Sequence, residues 1–178
     1  MLVVFRGLPG TGKTHLVRRL ARALPDLLVL SRDGIRASLI ARPTFAEDEK
    51  ALVDDMILGM ADFLLDRGRH VVIDGMALSS AARVESFARA ADTRGAPFFV
   101  VECTCSEATA LERLGRDKGG HPAGDRGPAL YHSVKERWEP VSRPALIVDT
   151  DSDPAAALAV VLQHIGRGAA RADGGGAP

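Results

Sequence analysis

Gly7-Leu8-Pro9-Gly10-Thr11-Gly12-Lys13-Thr14 lies between an apolar run, Leu2–Arg6, and a stretch of helical pattern, Lys13–Leu24. It matches G-x-x-x-x-G-K-[ST] at every defined position, in the strand–loop–helix context that this motif requires. Glycines let successive backbone N–H groups turn inward, because a Cβ atom would block the approach, and the helix N-terminus adds the positive end of its dipole. The stretch predicts a phosphate-binding loop in which Lys13 reaches the β- and γ-phosphates of a nucleotide and the Thr14 hydroxyl ligates Mg²⁺. The other predicted nucleotide contacts of the loop are Gly10, Thr11 and Gly12.

Around this loop the chain alternates apolar, β-branched runs with stretches of helical period. The apolar runs are nearly continuous, as in strands that are buried on both faces of a parallel sheet. Five runs are therefore predicted as strands: Leu2–Arg6, Leu27–Ser31, Arg69–Asp74, Pro97–Cys103 and Ala145–Asp149. Strands that alternate with helices predict an α/β fold, here a three-layer α/β/α sandwich on a five-stranded parallel sheet.

The helical stretches have recognisable faces and ends. The longest stretch is Glu47–Asp66, and a second is Ser80–Thr93; Gly68 and Gly95 lie just past them, where a left-handed residue is favoured. In the longest stretch, apolar residues at helical spacing are predicted to form one buried face. These residues are Leu52, Val53, Met56, Ile57, Met60, Phe63 and Leu64.

Composition limits the class of protein. The chain has 178 residues, enough for one domain, and its 23 basic and 23 acidic side chains give zero net charge. There is no basic block to indicate a nucleic-acid or membrane surface, no secretory leader and no apolar run of membrane-spanning length, so we expect a cytoplasmic protein. Cys103 and Cys105 are predicted to be reduced thiols, since two residues two positions apart on a strand lie too far apart for an unstrained disulfide.

Two segments depart from the alternation. Residues 115–127 are rich in glycine, lysine and arginine without an apolar period, and we interpret them as either a surface loop or a mobile lid. Residues 166–178 consist mostly of glycine, alanine and a few charged residues, and we expect them to be disordered. The predicted domain therefore covers residues 1–165.

The third predicted strand ends in Asp74-Gly75. A motor-type ATPase would typically have an Asp-Glu pair at this place, and a GTPase would carry an Asn/Thr-Lys-x-Asp segment, which the sequence lacks. Without a glutamate to polarise water, phosphate transfer to an alcohol is favoured over hydrolysis. Asp74 is then a candidate to hold a Mg²⁺-bound water, and the alternative is an Asp-Gly turn with local hydrogen bonds only.

The second predicted strand leads into Ser31-Arg32-Asp33-Gly34-Ile35-Arg36. In a parallel sheet this segment lies at the same carboxyl edge as the phosphate-binding loop. Asp33 can therefore act as the base that takes the proton of an attacking hydroxyl, with Arg36 one helical turn away to orient the acceptor. The alternative is that Asp33 only caps the following helix, where aspartate is a favoured residue.

These motifs, in this order, resemble a family of small P-loop kinases. Residues 31–36, "SRDGIR", and residues 71–83, "VVIDGMALSSAAR", are similar to polynucleotide 5′-hydroxyl kinases, zeta-toxin-like kinases, chloramphenicol phosphotransferase and seryl-tRNA kinases. The resemblance covers residues 2–165 and implies a P-loop NTPase fold of the nucleoside-kinase type. It implies that Asp33 is the general base, that Arg36 and Arg83 contact the acceptor, and that Asp74 belongs to the metal site.

The same resemblance extends to the second half of the chain. Residues 105–117, "CSEATALERLGRD", resemble the helix that leads into the lid, and residues 131–141, "YHSVKERWEPV", resemble the helix that follows it. In this family the lid arginines contact the nucleotide, and Arg116 is also a candidate catalytic residue. The implied lid arginines are Arg113, Arg116 and Arg126.

One departure bears on the acceptor. Gly75-Met76 stands where many polynucleotide kinases have Thr or Asn, which removes polar contacts to an acceptor chain. With the zero net charge, this favours ATP-dependent transfer to a small-molecule hydroxyl over a nucleic-acid acceptor. The predicted catalytic residues are Lys13, Asp33, Arg36 and Arg116, with ATP and Mg²⁺ as cofactors. The alternatives are a polynucleotide 5′-hydroxyl kinase and a non-catalytic nucleotide-binding module of regulatory or toxin type; the sequence predicts no oligomeric state.

Overall fold

A computed structural model describes residues 1–116 and 127–173 of the chain, with side chains up to residue 168. The strands are β1 (Leu2–Arg6), β2 (Leu27–Ser31), β3 (His70–Asp74), β4 (Phe98–Thr104) and β5 (Ala145–Asp149). The helices are α1 (Lys13–Ala23), α2 (Arg32–Leu39), α3 (Glu47–Asp66), α4 (Ala81–Thr93), α5 (Glu107–Arg116), α6 (Pro128–Glu136) and α7 (Pro154–Asp173).

The five strands form one parallel sheet in the order β2-β3-β1-β4-β5. Along β1, Leu2 and Val4 belong to one apolar core, whereas Val3 and Phe5 belong to the other, because successive side chains of a strand point to opposite faces. Helices α3 and α4 supply the first core, and α1 and α7 supply the second. The structure thus confirms the predicted three-layer α/β/α sandwich.

The strand order brings three loops to one edge of the sheet. β1 lies between β3 and β4, so the loop after β1 opens beside the carboxyl end of β3. Ser31 at the end of β2 pairs in register with Asp74 at the end of β3. The carboxyl ends of β1, β2 and β3 therefore meet, as in other open parallel sheets where ligands bind at the change of strand order.

The prediction of which residues of α3 are buried is wrong in part. The buried side chains are Val53, Ile57, Ala61 and Leu65, spaced four residues apart. Leu52 is 56% exposed and Phe63 54%, and Met56 and Met60 are exposed as well. The helix carries two adjacent apolar stripes, and the helical period does not indicate which of them faces the sheet.

The predicted disorder of residues 166–178 is also wrong for the first part of that segment, because α7 continues to Asp173. Alanine has the highest helix propensity, and the segment contains several alanines. A Cβ atom on Gly168 would overlap the ring of Phe99 on β4, so this glycine allows the helix to lie closely against the sheet. Residues 174–178 lie outside the described residues.

Three smaller features of the sequence can be followed in the structure. Gly68 and Gly95 adopt positive φ angles of 67° and 59° just past α3 and α4. Both cysteines are free thiols, and burial raises the pKa of Cys103 to about 12. Among the described residues, no helix combines the length and the apolar character needed to cross a membrane.

Candidate active site

The phosphate-binding loop connects β1 to α1 and closes on itself through backbone contacts. Thr11, which is buried, donates a hydrogen bond from its hydroxyl to the Leu8 carbonyl at 2.8 Å. Lys13 donates from Nζ to the carbonyls of Gly7 and Leu8 at 2.7 and 2.9 Å, so its ammonium lies across the loop. This is the position from which a lysine can reach phosphates held by the loop.

Gly10 shows why the loop needs glycine. Its φ is 82°, in the left-handed region that L side chains rarely adopt. A Cβ at this position would overlap the backbone carbonyl of Ala110 on α5, and backbone cannot move aside as a flexible side chain can. The loop conformation therefore depends on the absence of a side chain at Gly10 and on the close approach of α5.

Thr14 and Asp74 meet between the loop and β3. The Thr14 hydroxyl donates to Oδ1 of Asp74 at 2.9 Å, and the Asp74 side chain is buried. A hydroxyl and a carboxylate side by side form the oxygen donor set that Mg²⁺ prefers. The two residues predicted as metal ligands are therefore neighbours, and they fit the metal.

The turn after β3 links this pair to the acceptor segment. Gly75 has a φ of 81°, and a Cβ there would lie 3.2 Å from Cβ of Arg32. Arg32 is the first residue of α2, immediately before Asp33. The turn at Gly75, next to Asp74, therefore packs against Arg32, the residue that precedes the candidate base Asp33.

Asp33 lies in the first turn of α2, but it is not the cap of this helix. That role belongs to Ser31, whose Oγ accepts the backbone N–H of Gly34 at 3.3 Å. The Asp33 carboxylate instead pairs with Nη1 of Arg36, Oδ1 to Nη1 being 3.3 Å. The capping alternative for Asp33 is thus excluded, and its side chain lines the cleft described next.

A single cleft of about 760 Å³ joins these groups. It runs from the phosphate-binding loop to the space between α2, α3 and α4. Of the residues singled out from the sequence, it is lined by Gly10, Gly12, Lys13, Thr14, Asp33, Arg36, Gly75, Met76, Arg83 and Arg113. Asp74 is not among the lining residues and is connected to the cleft through its contact with Thr14. A volume of this size suits a nucleotide and a small second substrate.

The predicted arginines differ in their placement. Arg113 anchors α5 to the loop: it donates to the Thr150 hydroxyl at 3.1 Å, the Thr150 carbonyl at 2.9 Å and the Gly10 carbonyl at 3.4 Å. Arg83 lines the cleft and pairs with Asp55 at 3.2 Å. Arg116 is 76% exposed, pairs with Glu112 on the surface of α5, and does not line the cleft formed by the described residues. Its nucleotide contact stays a prediction, and Arg126 lies outside the described residues.

Sequence reasoning missed several side chains at the acceptor end. Arg36 is 4% exposed, and its Nε lies 2.9 Å from Oε1 of Glu49 on α3. Arg32 pairs with Asp54 of the same helix at 2.6 Å, and burial raises the pKa of Asp54. No local motif marks Glu49 or Asp54, because their partners lie on another helix.

Comparisons with known proteins bear on this arrangement. Residues 2–122 match the family model AAA_33, which is described as an AAA domain. No curated protein sequence matches the chain significantly. The family match covers both the phosphate-binding loop and the acceptor segment.

Solved structures with a similar fold include three proteins of different origin. A candidate kinase from Chloroflexus aurantiacus is 24% identical, with a TM-score of 0.73 over 92% of this chain and 97% of that one. The APS kinase CysC of Mycobacterium tuberculosis, in complex with AMPPNP and APS, is 23% identical, with a TM-score of 0.70 over 91% and 95%. A gluconokinase from Sinorhizobium meliloti is 17% identical, with a TM-score of 0.65 over 93% and 91%. These likenesses confirm the predicted small P-loop kinase fold.

Proposed function

We propose that this chain, which belongs to the AAA_33 family of AAA domains, transfers the γ-phosphate of ATP to a hydroxyl group of a small molecule. One observation carries the proposal: Lys13, Thr14 and Asp33 line one cleft, and Asp74 contacts Thr14, so that groups from three different strand ends come together. A phosphate-binding loop alone supports many activities, whereas a carboxylate facing the same cleft supplies a base for an attacking hydroxyl.

Each residue has a defined part in this reaction. The loop and Lys13 hold the phosphates of ATP and stabilise charge that develops during transfer. Asp33 accepts the proton of the attacking hydroxyl, and Arg36 orients the acceptor. Thr14 and Asp74 would hold Mg²⁺, which neutralises phosphate charge when it is bound.

The charges at the acceptor end favour a small molecule over a nucleic acid. Among the described residues, four cations at this part of the cleft pair with carboxylates: Arg32 with Asp54, Arg36 with Asp33 and Glu49, Lys50 with Glu47, and Arg83 with Asp55. Arg137, which also lines the cleft, donates to Ser133 instead. A channel for a phosphodiester chain would need cations whose charge is not already compensated. Most of the positive charge at the acceptor end is therefore already compensated, which favours a compact polar substrate.

An acceptor panel tests the proposal. The protein is incubated with γ-labelled ATP, Mg²⁺ and, separately, adenosine, D-gluconate, chloramphenicol and a 5′-hydroxyl oligonucleotide, and labelled product is measured at 50 and 200 mM salt. Transfer to a small molecule with little salt dependence supports the proposal. Transfer to the oligonucleotide alone, with a steep loss at 200 mM salt, would establish the polynucleotide kinase instead.

The panel also separates catalysis from nucleotide binding. If ATP binds tightly but is not hydrolysed, and none of the hydroxyl compounds is phosphorylated, the chain is a nucleotide-binding module rather than an enzyme. ATP binding is therefore measured by calorimetry in the same preparation.

A further inference from the structure

Glu49, in the first turn of α3, uses its two carboxylate oxygens for two different partners. Its Oε2 accepts from the Thr44 backbone N–H at 2.6 Å, the Thr44 hydroxyl at 2.9 Å and the Phe45 N–H at 3.3 Å. Its Oε1 lies 2.9 Å from Nε of Arg36. The side chain is 9% exposed, so these contacts are largely shielded from water.

The turn held by Glu49 is strained. Phe45 has a φ of 58°, which is unusual and energetically unfavourable for a bulky residue. Such a conformation persists only where the surroundings hold it, and the three hydrogen bonds to Oε2 do so. The Phe45 ring lies 5.0 Å from the Arg36 guanidinium carbon, within the range of a cation–π contact.

Arg36 is thereby fixed on three sides. Nε faces Glu49, Nη1 faces Asp33, and the ring of Phe45 covers the guanidinium. The Nε–Oε1 contact is an ion pair without hydrogen-bond geometry, and Nη2 is also buried without a hydrogen-bond partner among the described residues, while Arg36 lines the cleft. A buried donor without a hydrogen-bond partner is costly, so the guanidinium depends on its ion pairs with Glu49 and Asp33 to keep this position.

We propose that Glu49 is a positioning residue: it holds the Arg36 guanidinium and the Thr44–Phe45 turn as one unit beside Asp33, so that Arg36 meets the acceptor in a fixed orientation. The effect of Glu49 on acceptor binding rests on the proposed function. The contact by which Glu49 fixes Arg36 is a property of the folded protein and does not depend on that function. A guanidinium with a preset orientation loses less freedom when substrate binds, which strengthens acceptor binding.

The first test does not require an acceptor. The ¹H–¹⁵N signal of Arg36 Nε is assigned by its loss in Arg36→Lys and is then followed in Glu49→Gln and in a matched control, Asp48→Asn. The control removes the same charge from the same turn of α3, at an exposed residue. We expect the signal to move or broaden in Glu49→Gln and to keep its position in Asp48→Asn. An unchanged signal in Glu49→Gln would overturn the proposal.

The second test is kinetic and uses D-gluconate and adenosine as acceptor probes with ATP. Loss of a charged contact of this type predicts a rise of about tenfold in the acceptor KM of Glu49→Gln, with the KM for ATP unchanged. In the Arg36→Lys background the same change should have no further effect, since the effect acts through Arg36. Equal rises in both KM values, or full additivity, would show a merely structural role. If the wild type phosphorylates neither probe, the proposed function is at fault on these acceptors, and the Nε signal still decides the positioning role.

Discussion

The two ends of the cleft are built in different ways. The donor end is eight consecutive residues, Gly7–Thr14, whose geometry comes from backbone carbonyls and glycine conformations. The acceptor end is assembled from side chains of α2, α3 and the turn between them, held by ion pairs. The first is formed by consecutive residues with α5 packed against them, whereas the second consists of side-chain pairs between α2 and α3 and changes when either partner changes.

This difference suggests a division of function. In the proposed reaction the donor end holds ATP, and the acceptor end around Arg36 and Asp54 binds the hydroxyl compound. If the two ends of the cleft are independent, single substitutions should abolish acceptor use without loss of ATP binding.

Lys13→Ala should have the largest effect. Removing the ammonium takes away charge stabilisation during transfer, which is worth several kcal/mol, on the order of a thousandfold in rate. Phosphate transfer from γ-labelled ATP to the active acceptor of the panel measures the loss. Arg22→Ala, which removes a cation from the exposed far end of the same helix, is the control and should retain full activity.

Asp33→Asn should disable only the acceptor end. Asparagine keeps the shape but cannot take the proton, so transfer should fall by about a hundredfold, the lower end of what a general base contributes. ATP affinity, measured by calorimetry, should stay within about twofold, because the donor loop is untouched. Asp26→Asn is the matched charge control, because Asp26 is exposed and lies at the amino end of β2, away from the carboxyl ends of the strands. Normal transfer by Asp33→Asn would show that Asp33 is not the base.

Two glycine substitutions, one in the phosphate-binding loop and one in α3, should change the free energy of unfolding in opposite directions. Gly10→Ala should lower the free energy of unfolding by about 2–3 kcal/mol, from the positive φ and the overlap with the Ala110 carbonyl. Gly59→Ala, in the middle of α3 with no atom within 4 Å of the added Cβ, should raise it by about 0.5–1 kcal/mol. Urea denaturation of both variants gives the values, and equal effects would contradict the structural account of the loop.

Asp74→Asn should have a moderate effect that Mg²⁺ can reverse. Asn keeps an oxygen for the Thr14 hydroxyl but loses the charge that attracts a cation. We expect the Mg²⁺ concentration for half-maximal transfer to rise by about tenfold, a change of about 1.4 kcal/mol. A titration of activity with MgCl₂ checks this, and a variant with wild-type Mg²⁺ dependence would remove Asp74 from the metal site.

Much of the fold was predictable because its elements have local causes. β1, β2 and β5 begin and end where continuous apolar runs do, and α3 spans the predicted range Glu47–Asp66. The buried stripe of α3 was not predictable, because two apolar stripes share the helical period and only packing against the sheet selects one. The extension of α7 was missed for a similar reason, since the contact of Gly168 with Phe99 is made between distant segments.

In the candidate site, too, some features follow from the local sequence and others follow only from contacts between distant segments. By itself the sequence determined the donor loop, the Thr14 hydroxyl and the position of Asp33 after a strand, because each depends on neighbours a few residues away. Only the tertiary structure decided that Asp74 contacts Thr14 and that Glu49 faces Arg36. The physical reason is that hydrogen bonds and ion pairs depend on distances of a few ångströms between segments, and helix packing sets those distances.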